Sequence, residues 1–229
     1  MIPKSQLTPL LIALLLNTKT RKCRSIEDYV DLTYSFDLGF KAFHITISPW
    51  QFRSELLQLA ALVNRLKPKA VLEIGTARGG TFFLWCRLAS EDATLISIDL
   101  PGGPFGGGYP EWRVPFYRKI AKPKQKTTLF RGNSHDPATL KKTMATLNGH
   151  EIDFLFIDGD HSFEGVKRDF EMYSPLVRSG GIIAFHDIVP GETGMKVSEF
   201  WGQVKTTHRH LEIVESYLQG RRGIGILFI

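Results

Sequence analysis

Cysteine is scarce: Cys23 and Cys86 are the two in a chain of 229 residues. They lie far apart and without the short spacing of a zinc site, which excludes a disulfide framework and makes a reducing, cytoplasmic setting the expectation. Long hydrophobic runs are missing too. The apolar stretch at 10–16 is too short to span a bilayer, which takes about 20 residues. A single lysine precedes it and no small-residue cleavage site follows, so it reads as a helix that packs on the body or on a second subunit. No membrane partner is expected, and a homodimer is left open. Acidic residues number 23 against 29 Lys and Arg, a net charge of +6. The basic residues are spread out and carry no recognition motif, so no nucleic-acid partner is expected. They read as a solvated face, with an anionic small substrate as the second reading.

What is present is the alternation of an α/β protein. The length suits one such domain with an extension. Residues 1–50 show helical pattern without a clear sheet: 10–16, then 26–38 behind a Ser25 cap with Asp28 three positions on. Residues 43–49 read as extended, and Pro49 opens a helix with Phe52, Leu56, Leu59, Ala60 and Val63 on one face. This divides the chain into a helical appendage, 1–50, and a core domain, 51–229. Strands are expected near 70–74, 94–98, 127–131, 152–157, 181–186, 211–216 and 223–229. The last two are too close for a crossover helix, so they form an antiparallel hairpin. Residues 101–110, PGGPFGGGYP, exclude regular structure and read equally as a mobile lid or a surface loop.

Residues 71–80, VLEIGTARGG, join an apolar strand to a helix through a glycine turn, with Phe82, Trp85, Cys86 and Ala89 at helical spacing. Such a junction presents bare backbone amides at the carboxyl end of a strand, where open α/β sheets bind ligands. Asp99 ends the next strand and is placed to accept hydrogen bonds from a ribose diol. Two cofactors fit. Gly75, Ala77 and Gly80 form a degraded dinucleotide fingerprint, with alanine where a pyrophosphate needs the closest approach. S-adenosylmethionine has no pyrophosphate, tolerates the bulkier turn, and finds Glu73 available to its amino-acid end, directly or through backbone and water, with Gly75, Thr76 and Gly79 in the turn. Glu73-x-Gly75-x-x-x-Gly79 resembles the first motif of the Rossmann-like methyltransferases.

The chemistry-bearing half is IDFLFIDGDH at 152–161, a buried strand running into Asp158, Asp160 and His161. A second strand ends in Phe185-His186-Asp187. The two strand ends share the edge that carries Glu73 and Asp99. A carboxylate at the end of a buried strand needs a partner, whereas Asp160 and Ser162 are competing caps for the next helix.

These strand ends resemble the metal-dependent O-methyltransferases, which include catechol and caffeoyl-CoA enzymes and antibiotic-sugar enzymes. The nearest resemblance is to the bacterial cephalosporin-biosynthesis and macrocin-type group, over roughly residues 50–190. It implies a seven-stranded Rossmann-like sheet with an antiparallel C-terminal hairpin. It implies Asp158, His186 and Asp187 as ligands of a divalent metal, Mg²⁺ or Mn²⁺, with Asp158 also beside the cofactor. Asp160 is the implied general base, with His161 the alternative, and Asn133 and Ser134 face the adenine. His186 departs from the family, which has aspartate or glutamate there, and an imidazole also suits Fe²⁺ or Zn²⁺.

The leading expectation is an S-adenosylmethionine-dependent methyl transfer to a hydroxyl of a small molecule. A nicotinamide-dependent oxidoreductase is the first alternative, but it lacks a Tyr-x-x-x-Lys and leaves Asp158, His186 and Asp187 without work. A non-catalytic binding protein on the same fold is the second.

Overall fold

The computed structural model describes residues 4–40, 43–191 and 195–229. Two helices come first, α1 (Lys4–Thr20) and α2 (Ile26–Ser35), followed by a hairpin of β1 (Asp37–Phe40) and β2 (Phe43–Thr46). Ser25 caps α2 as expected: its hydroxyl accepts from Asp28 N–H while the Asp28 carboxylate accepts from Ser25 N–H. Two expectations fail here. The helix expected over 26–38 stops at Ser35, because Leu38 pairs with Ile45 in the hairpin. Pro49 does not open a helix either. The chain bends at Trp50 and Gln51 instead, and α3 runs Arg53–Leu66.

The core alternates strand and helix: β3 (Ala70–Ile74), α4 (Gly80–Leu88), β4 (Thr94–Asp99), α5 (Arg113–Ile120), β5 (Lys126–Arg131), α6 (Pro137–Leu147), β6 (Ile152–Ile157), α7 (Phe163–Tyr173), β7 (Val177–His186), α8 (Val197–Val204), β8 (Arg209–Ile213) and β9 (Ile224–Phe228). The seven core strands form one sheet in the order β5-β4-β3-β6-β7-β9-β8. The first five are parallel, and β9 runs antiparallel to both β7 and β8. All seven expected strands are there, and so is the terminal hairpin.

Strand alternation sends side chains to two apolar layers. Val71, Leu95, Phe154, Phe156 and Ala184 face a layer that also takes Ile12 and Leu16 of α1, Val30 of α2, Leu59 of α3, Trp85 of α4 and Phe116 of α5. Leu72, Ile96, Leu155, Ile183 and Phe185 face the other, with Val166 of α7 and Trp201 of α8. The amino-terminal helices therefore share the core of the sheet. No helix among the described residues is long and apolar enough to cross a membrane.

Chain direction sets the position of the site. After β3 the chain moves outward to β4 and β5, then returns to place β6 on the other side of β3. The crevice at the carboxyl ends of β3 and β6 is a topological switch point, where open α/β sheets hold ligands.

Candidate functional site

Gly75 shows how tightly that crevice is built. Its φ is +91°, and a Cβ there would lie 1.9 Å from the carbonyl oxygen of Asp158. Only glycine lets the turn after β3 pass the end of β6 at this range. Ala77 in the same turn has φ +43° and donates its N–H to Asp99 Oδ2 at 2.7 Å.

Two adjoining clefts open along the edge. The first encloses about 630 Å³, partly open to solvent, and is lined by Gly75, Asp99, Asn133, Ser134, Asp158 and Asp160, all expected at the site, and by Phe105 and His135. The second is lined by Gly75, Thr76, Gly79, Asp158 and His161 as expected, and by Trp50, Gln51, Arg78 and Phe105. Burial pushes the Asp99 carboxyl up to about 6, against the backbone N–H groups of Ala77 and Tyr109 that hold its charged form.

Glu73 has two expected routes to a ligand, and its burial closes the direct one. It has no exposed surface and lines neither cleft. Its Oε1 accepts from the Trp85 indole N–H at 2.8 Å and its Oε2 from the Thr76 hydroxyl at 2.7 Å. Strand alternation turns it toward α4, so it props Thr76 from below the cleft floor. Burial raises its carboxyl to about 8.

Behind the second cleft four ionisable groups converge. Asp158, His161 and Asp187 present ligand atoms within 4.8 Å of one another. His161 Nδ1 is 2.7 Å from Asp187 Oδ2. His186 Nδ1 lies 3.0 Å from Asp158 Oδ1 and 3.3 Å from Asp187 Oδ2. Although burial opposes charge on the His186 ring, the two carboxylates push it up to about 10. Burial opposes charge on Asp187 as well, and His186 and His161 hold its carboxyl far below the usual range. Asp187 has φ +61°, a left-handed backbone that non-glycine residues seldom adopt and that recurs at functional sites. Two carboxylates set side by side and balanced by imidazoles are a donor set that fits a divalent cation.

Asp160 does other work in this conformation. Its Oδ1 accepts from the N–H and hydroxyl of Ser162, which itself caps α7 through Gly165 N–H. The two carboxyl-end acids of IDGDH thus separate by role: Asp158 joins the cluster and Asp160 shapes the turn.

The glycine-rich loop folds over the clefts. Gly102 N–H donates to Gly107 O at 3.0 Å, Tyr109 is buried against Tyr117, and the Phe105 ring lies 5.2 Å from that of His161. A Cβ at Gly106 would come to 3.0 Å from the Trp50 ring, and Arg78 lies over that ring. From the sequence, Gln51 and Phe105 fall within two segments expected near the cofactor, 44–51 by the family resemblance and 101–110 as a candidate lid, without being singled out, and His135 is expected only at the start of the next helix. His135 Nε2 is 3.2 Å from Asp169, whose carboxylate is wholly buried on α7. A lone buried acid on an apolar helix face was the available signal for that pair.

A curated protein of Sinorhizobium fredii, the uncharacterized y4gI, is 26% identical over 170 residues. The match takes in 73% of this chain, which spans only 18% of that relative's length. Among solved structures, the O-methyltransferase TomG from Streptomyces achromogenes, in complex with SAM, matches with a TM-score of 0.56 at 16% identity. That match covers 75% of this chain and 78% of TomG. MycE methyltransferase from the mycinamycin pathway, in complex with Mg, SAH and mycinamycin VI, also gives 0.56, at 12% identity over 90% of this chain and 55% of MycE. At such identities the likeness is one of fold. The family described as a methyltransferase domain matches residues 72–188, just over half of the chain and the whole run from β3 to the Asp187 strand end. On that match, carried by the sheet and the edge just described, the chain belongs to the methyltransferase-domain family.

Proposed function

We propose that the protein transfers a methyl group from S-adenosylmethionine to a hydroxyl of a small molecule, assisted by a divalent cation. The convergence of Asp158, His161, His186 and Asp187 beside two clefts at the switch point carries this reading. The adenosine end suits the first cleft, where Asp99 meets the ribose hydroxyls and Asn133 and Ser134 flank the base. The amino-acid end suits the second, at the start of α4. SAM in TomG and Mg with SAH in MycE support the same ligand classes for this fold. A nicotinamide cofactor gains no support from these relatives.

Asp158 and Asp187 would hold the cation, with His186 joining them once its ring gives up the proton that the two carboxylates favour, and when bound the cation would lower the pKa of a hydroxyl close to it. His161 faces the cleft and is the base. Its Nδ1 lies 2.7 Å from Asp187 Oδ2 and its Nε2 3.8 Å from Asp158 Oδ1, and whichever nitrogen is unprotonated takes the proton from the acceptor hydroxyl. The Phe105 ring covers His161 from the glycine-rich loop. Methyl transfer needs an in-line approach, so most of the rate comes from holding the acceptor in place. The unpaired cysteines fit a reducing compartment.

The test is calorimetric titration of EDTA-stripped protein with S-adenosylmethionine, S-adenosylhomocysteine and NAD⁺, without and with Mg²⁺ or Mn²⁺. Micromolar binding of the adenosyl ligands alone is expected. Binding of NAD⁺ alone, or of none, defeats the reading; turnover unchanged by excess EDTA removes the cation from it.

A further inference from the structure

Gln51 enters the site from the segment between β2 and α3, far in sequence from the strands that carry the other groups. It is 2% exposed. Its Nε2 donates to Asp158 Oδ2 at 2.8 Å, and its backbone carbonyl accepts from the Tyr34 hydroxyl at 2.9 Å. Its Oε1 is buried and has no hydrogen-bond partner among the described residues. The amide is not free to turn round. The reversed orientation sets Oε1 against Asp158 Oδ2, and both atoms are acceptors. Asp158 thus fixes which end of the amide is left over, and that end is a carbonyl oxygen deprived of water.

Buried polar atoms are almost always hydrogen-bonded, so an unmet acceptor on a cleft wall points to a donor that the chain does not supply. Gln51 lines the second cleft with Gly75, Thr76 and Asp158. A group that settles there must donate to the amide oxygen and tolerate the Asp158 carboxylate. Carboxylate and phosphate oxygens fail on both counts, whereas a primary ammonium, a cation with three N–H donors, satisfies both.

Resting on S-adenosylmethionine as the methyl donor, we propose that Gln51 Oε1 accepts a hydrogen bond from the ammonium of the cofactor's amino-acid end, while Nε2 holds Asp158 in position. One side chain then ties the amino-terminal segment, through Tyr34 of α2, to both the ligand and the acidic cluster. This sets Gln51 apart from a residue that only braces Asp158: its contribution depends on the amine of the ligand.

That dependence supplies the experiment. S-adenosylhomocysteine and its desamino analogue, which keeps the thioether, carboxylate and nucleoside, are titrated calorimetrically into wild type and Gln51→Leu. Gln51→Met, similar in length and without an amide, is the second variant, and thermal melting checks that each is folded. Wild type is expected to favour the amine-bearing ligand. In both variants S-adenosylhomocysteine weakens about tenfold, equal to roughly 1.4 kcal/mol, while the desamino analogue stays within about twofold. Equal loss for the two ligands reduces Gln51 to a brace and overturns the proposal, as does no loss for either. If wild type binds neither ligand, the cofactor reading itself fails and the proposal falls with it. Unchanged selectivity on top of intact wild-type binding refutes the role of Gln51 alone.

Discussion

Replacing Glu73 with glutamine removes a pH dependence from the stability of this protein. Glu73 is wholly buried on β3, and burial outweighs its bonds from Thr76 and Trp85 to raise its carboxyl from an ordinary 4.5 to about 8. Between these two values the folded state keeps a proton that the unfolded chain releases. The stability from protonated Glu73 is complete below about pH 4.5 and is lost as pH rises through about 8. At 1.36 kcal/mol per pH unit the gap amounts to roughly 5 kcal/mol, a ceiling because a buried site relaxes when it becomes charged. Glutamine imitates the protonated acid: its oxygen still accepts from Trp85, and its N–H can donate to the Thr76 hydroxyl. The assay is thermal melting of wild type and Glu73→Gln from pH 5 to pH 9. The melting temperature of wild type should fall relative to the variant across this range. At about 2–4 °C per kcal/mol, even 2 kcal/mol moves the difference by about 4–8 °C. Asp99 and Asp169, also raised by burial, act in both proteins and cancel in the comparison. Parallel curves for the two proteins would refute the reasoning.

Asp99→Ala removes the carboxylate that accepts from Ala77 and Tyr109 N–H in the first cleft; S-adenosylhomocysteine should bind at least about tenfold more weakly, near 1.4 kcal/mol, by calorimetry. Gly75→Ala forces a Cβ to 1.9 Å from Asp158 O in a backbone with φ +91°, and urea titration should show a loss of at least about 3 kcal/mol. Phe105→Ala opens the loop above His161, so steady-state kinetics with a hydroxyl acceptor that the wild type methylates should show kcat/KM down about tenfold and melting within about 2 °C of wild type.

The sheet was legible because buried parallel strands announce themselves: IDFLFI admits no other reading, and two strands separated by a short glycine turn must be antiparallel. The Ser25 cap was equally local. The β1–β2 hairpin was not legible, since four-residue strands leave no period and Leu38 continues the apolar pattern of α2. Glu73 is a different case. The motif suggested a ligand, while the alternation of β3 places Glu73 on the same side as Val71, facing Trp85 of α4. Of the two candidate bases, Asp160 is taken up by a turn with Ser162, a bond between near neighbours that competes with any wider role. Gln51 and Asp158 meet across 107 positions, and no spacing rule within one sequence spans that gap.

The strand order also has a cost during synthesis. β3, β4 and β5 emerge first and can pair at once, but the other flank of β3 waits for β6, about 80 residues downstream. Until then Ala70–Ile74, every residue of which is buried in the finished protein, presents an open apolar edge to other nascent chains. A ribosome stalled before Ile152 therefore holds a sticky half-sheet, and release at that point favours aggregation over a smaller folded product.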